Sequence, residues 1–305
     1  MTLQVDSQGS VGVSESAANG TVNGDGTKAS WRGGQLWLLL PALALLAIFF
    51  AYPLFDVVLR SFRDSQGGFT TQNYEAFFSR AIYIRVLLLT IEIAFLTTVF
   101  SLIVGYPLAY VLANSGPTVR SFMMLCVMLP FMTSILVRTY GWMVILRPNG
   151  IVNTALATLG LGEIQLIYNR GGLMIGMVYT MLPYMVLTLY SVMRGIDGRF
   201  VAVAQSLGAG RWSAFWRIYF PLSMPGVAGG SLLVFILAAG FYITPRLMGG
   251  DRDQMLASII AYQVDVLLNF NFASAIAVIL LIITLACFGL YARIVGLKQL
   301  LTSKV

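Results

Sequence analysis

The chain has 305 residues, 58% hydrophobic and only 10% charged, with a mean hydropathy of +0.82. Soluble domains run at roughly 45 to 50% apolar and about 25% charged, so the excess belongs in lipid. The net charge of +7 comes from 19 Lys and Arg scattered between apolar runs with no basic stripe, which argues against a nucleic-acid partner and for membrane-flanking cations. Histidine is absent, and Cys126 and Cys287 each lie inside an apolar run. Metal sites, Ser-His or Cys-His nucleophiles and a disulfide framework therefore lack their raw material.

Residues 1–33, rich in Gly, Ser, Asn, Thr and Asp, offer too little apolar surface to offset the entropy of ordering and are expected to form a disordered tail. No charged segment leads directly into a short apolar core, so a secretory signal is not expected. Residues 34–305 read as a single membrane domain. Its apolar runs lie near 36–58, 86–113, 122–146, 173–193, 226–248 and 272–296. Each is long enough for a helix rising about 1.5 Å per residue to cross a hydrocarbon core about 30 Å thick. The prediction is an all-α membrane protein with six transmembrane helices. Prolines 41, 53, 107, 130 and 183 fall inside these runs and predict kinks. Gly172/Gly176 and Gly226/Gly230 have the small-xxx-small spacing of close helix packing.

Six crossings put both termini on one side, yet cation counting barely says which. With the tail inside, ten of the 19 cations lie in inner segments. The clearest local bias lies after the fourth run, where Arg194, Arg199, Arg211 and Arg217 face one acid, Asp197. The loop after the fifth run sets Arg246 and Arg252 against Asp251, Asp253 and Asp265. That favours the loop at 195–225 inside.

This loop is long and amphipathic. Phe200, Val203, Ala204 and Leu207 recur at helical spacing, and Gly208 and Gly210 supply a turn. Phe215, Ile218 and Tyr219 then begin a second short helix expected to end at Pro221. Two short helices joined by a glycine turn predict a knob below the membrane; an amphipathic loop lying on headgroups is the plainer alternative.

The segment resembles the cytoplasmic loop of importer-type ABC permeases, whose pattern is Glu-Ala-Ala, three residues, Gly, nine residues, Ile-x-Leu-Pro. Ala204 takes the second alanine, Gly208 the glycine, Ile218 the isoleucine and Pro221 the proline. Ala202 stands where the glutamate is expected, Val203 for the first alanine, and Phe220 for the leucine. In that family the loop docks on the ATPase, which would give a coupling role to Ala202, Val203, Ala204, Leu207, Gly208, Ala209, Arg211, Trp212, Ile218 and Pro221. The missing glutamate removes one charged contact from that dock. Leu136-Val137-Arg138-Thr139-Tyr140-Gly141-Trp142-Met143, Asn149-Gly150-Ile151-Val152-Asn153 and Tyr242-Ile243-Thr244-Pro245-Arg246-Leu247-Met248-Gly249-Gly250 are similar to stretches of spermidine and putrescine permease subunits.

The resemblance implies the type I ABC importer permease fold over residues 36 to 300. It further implies a second permease subunit, two ATPase subunits that bind ATP and Mg, an external solute-binding protein and a bacterial inner membrane. No Gly-x-x-x-x-Gly-Lys-Ser/Thr loop is present, so a cofactor is not expected in this chain and ATP hydrolysis must come from a partner. The solute implied is a polyamine; iron, opines, thiamine and amino-acid-like solutes belong to the same wider branch. A secondary transporter or channel is an alternative that would not need the glycine-turned loop. An intramembrane enzyme is another, disfavoured because histidine and a Gly-x-Gly-Asp motif are both missing.

A permease needs polar groups within its apolar helices, where charge is costly unless it faces a cavity or a partner. Glu92 and Arg138 are the clearest cases. For a polycation, Glu92 and Asp265 would attract while Tyr140, Trp142 and Tyr184 would offer ring faces. Alternatively Glu92 pairs structurally with Arg85 or Arg138 and the aromatics form an interfacial belt. Arg138, which would repel a polyamine, is expected to be packed or ion-paired.

Overall fold

A computed structural model of the chain describes Pro41 and residues 43–64, 66–160 and 162–302, without the side chains of 292 and 294–302. The predicted tail, residues 1–33, lies outside the described residues, as does the start of the first apolar run. The chain divides into two compact units, Met1–Tyr52 and Pro53–Val305. The described part of the first contributes only the beginning of the apolar helix α1, Leu43–Ser61. Everything below concerns the second.

The second unit continues with α2, Gln72–Ser79, and α3, Ala81–Asn114. Next come α4, Pro117–Met132, α5, Ile135–Leu146, and α6, Ile151–Thr158. They are followed by α7, Arg170–Met193, α8, Arg199–Ser206, and α9, Arg211–Ala239. The chain closes with α10, Ile243–Met248, α11, Leu256–Asp265, and α12, Phe270–Thr302. Among the described residues five helices are long and apolar enough to cross a membrane, and the bent pair Pro117–Met132 with Ile135–Thr158 raises the number to six when counted as one span.

That bent pair corrects the prediction of one helix over 122–146. The path turns by 101° after Met132. The helix carries Pro130 in its last turn and ends at Met132. Thr133 and Ser134 then take extended backbone conformations before α5 begins. Pro107 and Pro183, by contrast, are carried inside continuous helices.

The fifth run departs from expectation at both ends. Its helix does not begin after a knob helix that stops at Pro221; it runs unbroken from Arg211 to Ala239. Over Phe215–Tyr219 the helix widens to a π turn, with Phe220 N–H donating to Phe215 C=O. The wider turn leaves room for the Pro221 ring where an α-helix would clash. At the other end the helix stops at Ala239, and the remaining apolar residues form the separate short helix α10.

Helices α3, α7 and α9 make the core. Along α7, Leu173, Met177, Met181, Met185, Leu189 and Met193 recur every four residues and are all at most 2% exposed. This i, i+4 ridge is the kind that seats in a neighbour's groove, and the methionines adapt to irregular gaps. Ile93, Ala94, Ala109 and Leu112 of α3 and Val234 and Ala238 of α9 belong to the same buried cluster. The glycine pairs serve packing, as predicted. A Cβ on Gly226 would lie 3.0 Å from Val192 Cβ, and one on Gly230 would lie 2.9 Å from Met185 S. A second cluster joins Phe77 of α2, Val86 of α3, Leu256 of α11 and Phe272 and Ile276 of α12.

Candidate functional site: a glycine-turned knob and a polar helix face

The knob is built by short-range chemistry. Asp197 Oδ1 accepts from Arg199 N–H at 2.9 Å and so opens α8. The helix closes with Gly208 at φ +90°. Gly208 N–H donates to Gln205 C=O at 3.0 Å and Ala209 N–H donates to Ala204 C=O at 3.0 Å, the paired bonds of a Schellman stop. Only glycine enters that left-handed conformation without a Cβ penalty. Gly210 has an ordinary backbone and precedes the first turn of α9.

No residue of α8 is buried. Phe200, Val203, Leu207 and Trp212 stand more than half exposed, Leu207 at 83%. Ala202, Gly208, Arg211 and Pro221 are exposed, whereas Ala204, Ala209 and Ile218 are half-buried. The predicted coupling residues thus fall on one structural unit, with its large apolar side chains turned outward.

The predicted path residues are not gathered in this way. Glu92 pairs with Arg170 at 2.5 Å, both about half exposed, so its partner is neither Arg85 nor Arg138. Arg170 opens α7, and the pair therefore ties the start of that helix to α3 a third of the way along its length. Arg138 is half-buried, its Nε shielded and without a partner among the described residues. Packed but unpaired, it meets one half of the expectation. Trp142 packs edge-on to Tyr179, with ring centroids 5.2 Å apart, and Tyr184 does the same to Phe131 at 5.0 Å. These two rings are packing partners, while Tyr140 and Asp265 are exposed.

Two features escaped the sequence reading. On α3, Thr90, Thr97 and Ser101 are fully buried, and Thr97 Oγ1 and Ser101 Oγ lack hydrogen-bond partners among the described residues. Thr90 Oγ1 accepts from Leu256 N–H at 2.9 Å and anchors α11. The seven- and eleven-residue offsets put all three on one helix face, a signal that was legible. The second feature is a set of rings where the C-terminal end of α3 meets the start of α9. Tyr110 meets Phe215 at 5.6 Å and Tyr219 at 5.0 Å, and Tyr106 meets Phe215 and Phe220 at 6.2 and 5.8 Å. The spacing of Tyr106 to Tyr110 and of Phe215 to Tyr219 marks ring stripes, but nothing in the sequence pairs the stripes.

Residues 105–297, more than half of the chain, match the family described as binding-protein-dependent transport system inner membrane component. The chain belongs to this family of ABC importer permeases. Among relatives, the spermidine/putrescine transport system permease protein PotB of Haemophilus influenzae is 30% identical over 88% of this chain and 91% of its own length. PotB of Escherichia coli is 34% identical over 70% of this chain and 78% of its own. A crystal structure of a bacterial alginate ABC transporter with its alginate-bound periplasmic protein superposes with a TM-score of 0.71. It covers 85% of this chain and 92% of the matched chain at 18% identity. That likeness shows the fold, the type I permease arrangement. The permease is therefore a multi-pass inner-membrane transport subunit.

Proposed function

We propose that this permease forms part of the import path for a polyamine, spermidine or putrescine, and draws its energy from separate ATPase subunits. The observation that carries the solute is the PotB likeness, 30 to 34% identity over 70 to 88% of the chain. Two ATPase subunits bind ATP and Mg, this chain binding neither, and a second permease chain and an external solute-binding protein complete the importer. Membrane lipid surrounds it, and both termini lie in the cytoplasm, an orientation supported by the arginines around the knob.

The exposed face of Phe200, Val203, Leu207 and Trp212 supports ATPase docking, because contiguous apolar surface outside lipid marks a partner site. Its Schellman turn holds the face at a fixed angle to α9, so movement of the ATPases reaches the bundle. Through this link alternating access follows the nucleotide state. On the solute path Glu92, already paired with Arg170, is a weaker attraction for a polycation than its sequence position implied. Arg138, without a carboxylate among the described residues, favours the second reading, the same importer class acting on an anionic solute such as an opine.

Uptake of radiolabelled spermidine and putrescine into vesicles holding the complete importer, with and without ATP, tests both parts. ATP-dependent uptake is expected, and Gly208→Pro should abolish it while leaving the subunit inserted, because proline cannot reach φ +90°. An assembled, ATP-hydrolysing importer that takes up neither polyamine ends the polyamine reading.

A further inference from the structure

Helix α9 leaves the knob through a π turn. Over Phe215–Tyr219 the backbone is π-helical, a geometry that breaks the α-helical bond ladder and recurs at functional positions. The neighbouring helix braces the turn. With 34 residues rising about 1.5 Å each, α3 is about 51 Å long and outreaches a core about 30 Å thick, so its inner end stands beside the start of α9.

The brace is aromatic on both sides. Phe215 lies parallel to Tyr219 at 5.9 Å, and Tyr110 stands edge-on to both. Trp212, exposed on the knob, stacks on Phe215 at 6.1 Å. A ring path thus runs from the outward face of the knob through the π turn to α3. Polar bonds hold its edges: Asn114 Nδ2 donates to Tyr219 Oη at 3.2 Å, and Tyr106 Oη and Ser223 Oγ share a hydrogen bond of 2.9 Å. Rings are stiff, with two side-chain torsions, and pass displacement with little internal slack. The same α3 carries Thr97, Ser101 and Glu92 further along.

We infer that Tyr110, Phe215 and Tyr219 form a clutch across the π turn of α9, through which movement of the knob is delivered to α3. This rests on the docking role proposed above. The three are positioning residues: none has to touch solute or nucleotide. Tyr110 is the best probe because it is 37% exposed, so shortening it opens no sealed cavity.

The test uses the complete importer in liposomes, in a chain with Cys126→Ser and Cys287→Ser carrying Tyr140→Cys as a reporter on α5. Three quantities are followed: ATPase subunits retained on purification, nucleotide trapped by vanadate, and the alkylation rate of the reporter with and without ATP. None requires knowledge of the solute. We expect Tyr110→Leu to retain the ATPase subunits and trap nucleotide normally, while the ATP-driven change in alkylation shrinks by about fivefold or more, the lower range of site-to-site coupling. Tyr110→Phe, which keeps the ring, should behave as wild type, and adding Phe215→Leu to Tyr110→Leu should cause little further loss. A full alkylation change in Tyr110→Leu, or no ATP-driven change in the unsubstituted reporter chain, overturns the clutch. So does loss of ATPase subunits from Tyr110→Leu, which would mark a folding role. Trp212→Asp separates the two ideas: if it leaves the ATPase subunits bound and trapping nucleotide, the docking reading itself falls.

Discussion

The knob end of the permease and the middle of α3 use aromatic and polar groups in opposite ways. At the knob end rings meet rings across α3 and α9, and large apolar side chains of the knob face outward, uncovered among the described residues. In the middle of α3, Thr97 and Ser101 are buried without partners among the described residues, and the half-exposed Glu92 is tied to Arg170. The contrast is between apolar surface left uncovered on the knob and polar groups enclosed by apolar packing along α3.

The contrast breaks first at the knob. Leu207→Asp combined with Trp212→Asp puts two carboxylates on the docking face and should weaken retention of the ATPase by about 30-fold or more, the effect of losing an interface hot spot. Normal retention on purification would show the face to be idle. Next in size, Gly226→Leu forces a side chain against Val192 on α7 and should cost about 1 to 3 kcal/mol of stability, measured as a lower melting temperature in detergent. An unchanged melting temperature would mean that the α7–α9 contact is looser than its geometry. The smallest effect is expected from Glu92→Gln. Loss of a half-exposed pair should change stability by about 1 kcal/mol or less and leave the KM for spermidine near wild type. A large rise in KM with stability intact would instead place Glu92 in the solute path and blur the distinction between the two regions.

Much of the knob was legible because its determinants are local. Asp197 opens the helix, Gly208 stops it and the apolar spacing sets the outward face, all within 16 residues from Asp197 to Trp212. The path was much less legible. Glu92 and Arg170 are 78 positions apart, so the likelier-looking partners Arg85 and Arg138 were named in its place. Trp142 and Tyr184 carry the chemistry of a cation site, but Tyr179 and Phe131 pack against their rings.

By itself the sequence determined the membrane class, the number of apolar runs, the glycine stop and the membership that the motif spacing implied, because hydropathy and backbone permissiveness are properties of neighbouring residues. Tertiary structure alone decided where prolines break helices and where they are absorbed. Pro130 precedes a 101° turn, while Pro221 rides through on a π turn beside the rings of α3. A proline removes one hydrogen bond in either case; whether the chain bends depends on the packing available to hold it straight, and that is supplied by residues about a hundred positions away.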